Sequence, residues 1–280
     1  MTRILVVGSS GKLGRMLRAI WHVPPPNAAS VTWVARTGAP GMIEWRPGQD
    51  PADVPSADVV IALWGVTPGQ GDLGDNARLA ISAMELAANL GARRVLHCSS
   101  SAVYPPSETA LSELDETGPS SDYGRAKITM EAVIKDWSEA NPDGPAPCIM
   151  RLANVAGADS LFATLDRGGP VPLDQFPDGT GPRRSYLAPS DLARSLVNLA
   201  TCPDRYYPPL VNLSGPRPVA MEAIVRAADR RLDWRPAPDT AIPCLAMDAG
   251  RIARLCGELV DSSDPGALAE NWRRWGAPAQ

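Results

Sequence analysis

The chain opens on an unbroken apolar run, Ile4-Leu5-Val6-Val7. Such a run suits a strand covered on both faces of a parallel sheet. Gly8 to Gly14 follows. Leu13, Met16, Leu17 and Ile20 then recur at helical spacing up to about Trp21, where Pro24, Pro25 and Pro26 stop the helix. Apolar, β-branched stretches over 31–35, 42–45 and 58–63 read as the second, third and fourth strands, with a Pro/Gly/Asp-rich loop over 46–56. Leu79, Ala83, Leu86 and Leu90 predict a helix over 75–90, closed by Gly91. A fifth strand over 94–98, a long helix over 123–140 and a sixth strand over 147–151 continue the alternation. Strands alternating with helices predict an α/β protein with a doubly wound parallel sheet.

Beyond about residue 155 the texture changes. Residues 157–184 are rich in glycine and proline with weak periodicity, and three helices are expected near 190–201, 219–232 and 264–275, with a short strand over 210–213. The pattern divides the chain into a cofactor-type domain over 1–156 and a small, mostly helical lobe over 157–280. The segment 189–215 is expected to return to the core of the first part. A ligand is expected at the carboxyl edge of the sheet, beneath that lobe.

Gly8-Ser9-Ser10-Gly11-Lys12-Leu13-Gly14 sits where that expectation is most specific, between a buried strand and a helix. In a Rossmann-type unit the first glycine makes the turn, the second admits a pyrophosphate to the backbone, and the third lets helix and strand pack closely. The phosphates then rest on the helix N-terminus. Gly8, Ser10, Gly11, Lys12, Leu13 and Gly14 are therefore the candidate phosphate-side residues. At the end of the second strand a carboxylate would accept from the ribose 2′-hydroxyl of NAD. Here Arg36 stands in that slot and no carboxylate does, which favours NADP over NAD.

Composition narrows the chemistry. There are two histidines, His22 and His97, and five scattered cysteines without a Cys-x-x-Cys, so no metal site is expected. Both histidines read as structural, so acid–base work falls to Tyr, Lys, Asp or Glu. Net charge is 27 − 31 = −4, against the basic surplus of a nucleic-acid binder. No apolar run of membrane-spanning length and no signal peptide is evident, and the cysteine usage fits a reducing compartment, so a cytoplasmic protein is expected. Prolines number 29 and gather in the connections.

Three segments supply a histidine-free relay. Ser99-Ser100-Ser101-Ala102-Val103-Tyr104 follows the fifth strand, Tyr123-Gly124-Arg125-Ala126-Lys127 opens the long helix, and Arg151-Leu152-Ala153-Asn154 follows the sixth strand. Tyr123 and Lys127, at i and i+4, share a helix face. An adjacent ammonium is expected to draw the tyrosine pKa down towards the working pH. A serine hydroxyl then completes a proton relay for a carbonyl/alcohol pair.

With these motifs in this order the chain resembles the short-chain dehydrogenase/reductase superfamily, most of all its extended branch, the NAD-dependent epimerase/dehydratase family, over about residues 3–275. The resemblance implies Tyr123 as general acid/base, Lys127 as binder of the nicotinamide ribose, and Ser100 as the catalytic serine with Ser101 as its alternative near the substrate. It places Leu63, Trp64 and Gly65 along the cofactor. It also puts Asn76, Asn154 and Arg184 near the substrate, Arg184 as a clamp on a diphosphate. It implies a small-molecule substrate such as a nucleotide sugar, and a homodimer through the helices at 75–90 and 123–140.

Departures from the family pattern are the bulky Trp64 at a strand end that is usually small, Pro105 after Val103-Tyr104, and Arg184-Ser185-Tyr186-Leu187-Ala188 where Arg-Asp-aromatic-x-His is common. The shortened lobe and Arg36 lean towards a reductase rather than an epimerase. A non-catalytic dinucleotide-binding sensor or scaffold on the same fold is the alternative, and the retained Tyr123/Lys127 pair speaks against it.

Overall fold

A computed structural model describes residues 2–22, 25 and 28–276. Of the proline turn expected at 24–26, Pro24 and Pro26 lie outside the described residues. The central sheet is built from β1 (Thr2–Val7), β2 (Ala28–Ala35), β3 (Ile43–Glu44), β4 (Val59–Ala62) and β5 (Arg94–Ser100), together with β7 (Ala146–Leu152) and β12 (Leu210–Leu213). Its order is β12-β7-β5-β4-β1-β2-β3, and every pairing is parallel. The strand order reverses between β1 and β4, which is where an open α/β sheet binds its ligand.

The apolar runs explain the layers. In β1, Ile4 and Val6 face one side, packed with Met16 and Leu17 of α1 (Lys12–Ile20) and Leu192 and Leu196 of α5 (Pro189–Thr201). Leu5 and Val7 face the other, with Ala83, Met84 and Leu86 of α2 (Asp75–Asn89). A strand covered on both faces has no use for alternation. α3 (Asp122–Ala140) lies beside α2, its first turn capped by the Ser121 hydroxyl, which accepts from the Gly124 amide at 3.1 Å. Arg94, buried in β5, ties α5 to the sheet. It donates to the Leu199 and Ala200 carbonyls at the helix end and pairs with Asp204.

The smaller lobe carries more strand than its sequence implies. β6 (Ser107–Leu111) and β15 (Cys244–Met247) join β10 (Arg183–Arg184) and β13 (Val219–Ala220) in a sheet of order β13-β10-β15-β6. β8 (Asn154–Val155) pairs with β11 (Tyr186–Leu187), and β9 (Val171–Gln175) with β14 (Leu232–Pro236). The helices here are α4 (Ser160–Asp166), α6 (Met221–Ala227), α7 (Gly250–Cys256) and α8 (Pro265–Trp275). The helix expected over 219–232 is therefore much shorter. Asp229 takes a left-handed conformation (φ 58°) and breaks it, and the alternating Leu232-Asp233-Trp234 continues as β14 against β9. α4 and α7, seven residues each, were absent from the periodicity because two turns show too little repeat. Among the described residues no helix is long and apolar enough to cross a membrane.

Candidate active site

The glycine loop forms as its spacing requires. Gly8 adopts φ +82°, and a Cβ there would stand 2.6 Å from the Trp64 amide nitrogen. A Cβ on Gly14 would come within 2.6 Å of the Gly8 carbonyl and Ser9, so α1 can begin this close to β1 only without one. α1 has no side-chain cap and no acidic residue in its first turn. Its first amides and dipole are thus left open to an anion, the donor set a dinucleotide pyrophosphate needs. Ser10 is exposed at the loop, and the Lys12 ammonium donates to the Ala158 carbonyl at 3.3 Å. Ser9, which the motif leaves as a spacer, holds the cradle. Its buried hydroxyl donates to Val6 O (2.8 Å) and accepts from Val34 N (3.1 Å), fastening β1 to β2.

Arg36 ends β2 in the open, and its carbonyl accepts from Arg46 Nε at 2.8 Å. The slot is not free of carboxylate, contrary to the linear reading. The register Ala35↔Glu44 brings Glu44 alongside, where it accepts from the Gly38 amide (3.0 Å) and pairs with Arg46 (3.1 Å). The Trp64 backbone lies against Gly8 of the loop, while its side chain turns to the core. Its ring stacks on Trp45 with centroids 5.9 Å apart, and its indole nitrogen is buried without a partner. It fills the α2-side core next to Val54 and Val34. Leu63 packs against the opposite core and Gly65 is exposed.

Five of the expected residues converge at the ends of β4 and β5. Lys127 is buried, and its ammonium donates to Asn76 Oδ1 (3.0 Å) and to the Cys98 carbonyl (2.9 Å). A Cβ on Gly65 would lie 3.0 Å from Asn76 Oδ1 and 3.5 Å from Lys127 Nζ. The ammonium stands 5.7 Å from the centroid of the Tyr123 ring. Ser100 ends β5, its hydroxyl accepting from Ala102 N at 3.2 Å and lying beside Tyr123.

Two roles change. Asn76 spends its full hydrogen-bonding capacity inside the protein, because Nδ2 also donates to Val66 O and Leu73 O and Oδ1 accepts from Val66 N. It anchors Lys127 and the 65–66 turn and has nothing left for a substrate. Tyr123 is the second. Burial pushes its hydroxyl up to about 12, and the Ser100 hydroxyl opposes that only in part. The expected lowering by Lys127 does not accompany it: the ammonium donates to two carbonyl oxygens and stands 5.7 Å from the ring centroid. Burial brings Lys127 itself down to about 8.

Ser101 is buried in the 3₁₀ turn Ser101–Val103. Gly124, an unassigned position within the tyrosine motif, decides how that turn meets α3: a Cβ there would overlap the Ala102 carbonyl and lie 2.7 Å from Pro119 Cβ. Asn154 and Arg184 stand apart, on β8 and β10. The Asn154 backbone N–H donates to Ser185 O at 3.2 Å. The Arg184 guanidinium donates to Arg183 O (2.7 Å) and Ile242 O (2.8 Å). His97 is buried against Met84, and burial drops it to about 3, so it is neutral, while His22 is exposed. Among the described residues no group of three or more His, Cys, Asp or Glu is arranged for a metal.

Comparison with curated proteins gives no match. Among solved structures, MoeE5 in complex with UDP-glucuronic acid and NAD superposes with a TM-score of 0.77 at 22% identity, covering 97% of this chain and 99% of that one. TunA, an NAD-dependent NDP-hexosamine 5,6-dehydratase involved in tunicamycin biosynthesis, gives 0.76 at 19% identity, covering 98% of each chain. DesIV, a dTDP-glucose 4,6-dehydratase from Streptomyces venezuelae with NAD and TYD bound, gives 0.76 at 16% identity, covering 97% of this chain and 96% of that one. The family model for the NAD dependent epimerase/dehydratase family matches residues 54–209, across the strands and helices that carry Asn76, Ser100, Tyr123 and Lys127, and the chain belongs to that family.

Proposed function

We propose that the protein is an NAD(P)-dependent oxidoreductase acting at a carbonyl/alcohol carbon of a nucleotide sugar, with residues 1–156 as cofactor domain and 157–280 as substrate lobe. The observation that carries this reading is the convergence of Ser100, Tyr123 and Lys127 at the β4/β5 edge, next to an uncapped glycine-loop helix. The solved structures with UDP and dTDP ligands support the substrate class by analogy of fold.

The bound nicotinamide would supply the hydride acceptor or donor. The chain would hold it by the α1 amides, Gly8, Gly11, the Ser10 and Lys12 side of the loop, Leu13 and Gly65. The Lys127 ammonium, held by Asn76 and the Cys98 carbonyl beside the Tyr123 ring, would bind the ribose hydroxyls. Tyr123 holds the proton at its hydroxyl and passes it to or from the substrate oxygen, which Ser100 orients. Burial keeps the free hydroxyl protonated, so in this state it can donate a proton to the substrate oxygen. At the ribose end exposed Arg36 suits the 2′-phosphate of NADP and the neighbouring Glu44 carboxylate the 2′-hydroxyl of NAD, so Arg36 is the residue on which an NADP preference would rest. Arg36→Asp should then weaken NADPH more than NADH, and equal losses overturn that preference.

The decisive variant is Tyr123→Phe. It should bind NADH or NADPH as the natural chain does and lose about 10²–10⁴-fold in turnover with UDP-glucose, UDP-glucuronic acid or their 4-keto forms. Full turnover by Tyr123→Phe rejects the relay. The dinucleotide released on denaturing the purified protein separates the reactions: retained NAD(H) marks a redox-neutral reaction such as epimerisation, and a site that must be loaded with NADPH marks a reductase. Light scattering tests the expected homodimer through α2 and α3.

A further inference from the structure

Glu131 lies half-buried on α3, one turn beyond Lys127, and the relay makes no use of it. Its Oε1 accepts from Ser99 Oγ at 2.5 Å. Arg151 grips it at both oxygens, Nε to Oε1 at 3.1 Å and Nη2 to Oε2 at 2.8 Å, with side-chain exposures of 6% for Arg151 and 12% for Glu131. Arg151 is itself fixed: its Nη1 donates to the Tyr104 hydroxyl (2.9 Å), which lies 2.8 Å from Asn212 Oδ1. The three sheet residues form a row, because the register pairs Ser99 with Arg151 and Arg151 with Asn212 across β5, β7 and β12.

Two bonds therefore fasten α3 to the end of β5, one from Lys127 to the Cys98 carbonyl and one from Ser99 to Glu131. They hold adjacent residues of the strand that ends in Ser100. Tyr123, Lys127 and Glu131, spaced by four, lie along one face of the helix. A rotation of α3 that moved Tyr123 from Ser100 would have to break the Glu131 clamp.

We propose that Glu131 is a positioning residue for the relay: held by Arg151 and holding Ser99, it sets the rotation of α3 that brings Tyr123 and Lys127 to Ser100. Its meaning for catalysis rests on the proposed function; the clamp itself does not. Removing one partner of the pair costs more than the bond is worth on balance, because Arg151 would be left with an unpaired charge. The conservative change is thus Glu131→Gln, which keeps the shape and the acceptor oxygen.

A second consequence separates positioning from mere stability. The groups facing the Lys127 ammonium are Asn76 on α2, His97 and Cys98 on β5, and Tyr123 and Glu131 on α3, with Arg151 of β7 behind Glu131. His97 is neutral, burial holds the Cys98 thiol up to about 11, and the Glu131 carboxylate favours the charged ammonium. Glu131 is thus the group of the set whose loss should be read at the ammonium.

The chain has three lysines, Lys12, Lys127 and Lys135, so lysine-selective ¹³C labelling gives three ε-carbon signals in the full protein. Lys127→Arg identifies the one that matters. In Glu131→Gln the Lys127 titration midpoint should fall by about half a pH unit or more, while Lys12 and Lys135 stay in place. NADH affinity, read by fluorescence, should fall roughly threefold to tenfold. Ser99→Ala keeps every charge and decides the matter if Glu131→Gln does not fold: NADH affinity should fall with the Lys127 midpoint unchanged. Natural values of both readouts in a folded Glu131→Gln, or natural NADH affinity in Ser99→Ala, overturn the proposal. A natural chain that binds neither NADH nor NADPH defeats the proposed function instead, and the lysine titration still reads the clamp.

Discussion

Individual side chains at this site are set more by burial than by neighbouring charge. Tyr123 and Lys127 are pushed in opposite directions, one up and one down, and desolvation leads in both. Asp159 shows the same effect. It caps α4 by accepting from the Phe162 amide at 3.0 Å, and burial raises the carboxyl to about 6, an effect that the Phe162 amide, the Tyr186 and Asn154 side chains and the Lys12 charge offset only in part. A carboxyl raised in the folded state binds more protons folded than unfolded between its ordinary value of 3.8 and about 6. Stability therefore declines as pH rises through that window, and the cost is complete above it. Asp159→Asn retains the cap and discards the charge. It should raise the melting temperature at pH 7–8, by about 1–3 kcal/mol of stability, and leave it unchanged near pH 4. A benefit independent of pH would show that ionisation at Asp159 is not what costs stability. The sequence offered no hint of this residue, because a helix-capping aspartate looks the same whether its second oxygen is wet or dry.

At the scale of elements, what could be read in the chain and what could not divide by range. β1, α1, α2, α3 and β12 follow from apolar runs and helical spacing, and the structure places them within a residue or two of those limits. β6 is different. Ser107-Glu108-Thr109-Ala110-Leu111 has little apolar content and forms a strand only because Cys244–Met247, far along the chain, lies beside it. Docking of α3 is intermediate. The Tyr-x-x-x-Lys spacing marks the face proposed for catalysis, but only the packing reveals that Gly124 lets the first turn of α3 touch the 3₁₀ turn after Ser100. Gly124→Ala tests this. Alanine favours a helix interior by about 0.5–1 kcal/mol, so on propensity alone the variant would be more stable. The overlap with the Ala102 carbonyl reverses the sign. The variant should lose roughly 2–4 kcal/mol in denaturant unfolding, with α3 displaced from Ser100 and turnover lost beyond what stability explains. A stabilised Gly124→Ala would mean that the turn yields freely and does not hold the relay.

Across the whole molecule, the sheet edge and the lobe meet through segments far apart in sequence. Residues before the boundary at 156 supply β6 to the lobe sheet, and residues after it supply α5 and β12 to the core. Ligand binding beneath the lobe must therefore be felt by both parts. Arg184 is the residue of the lobe best suited to report it. Its neighbour Arg183 pairs with Glu108 at 3.1 Å, whereas Arg184 is half-buried and bonded to backbone carbonyls alone. Burial lowers its pKa, the mark of a charge without adequate compensation. A guanidinium in that state gains most from an anion that accepts from its planar fork, and a diphosphate offers such oxygens. UDP-glucose should accordingly raise the melting temperature of the natural protein, because a ligand that binds only the folded state stabilises it. Arg184→Ala should remove about 1.5–3 kcal/mol of that binding, roughly 10- to 100-fold in affinity, and with it the protection at moderate ligand concentration. Arg183→Ala, which breaks an exposed pair, should leave the protection in place. Equal protection of the two variants would move the diphosphate away from β10. Protection by glucose but not by UDP would replace the nucleotide sugar with a smaller substrate, while the fold and the Ser100–Tyr123–Lys127 group would stand as described.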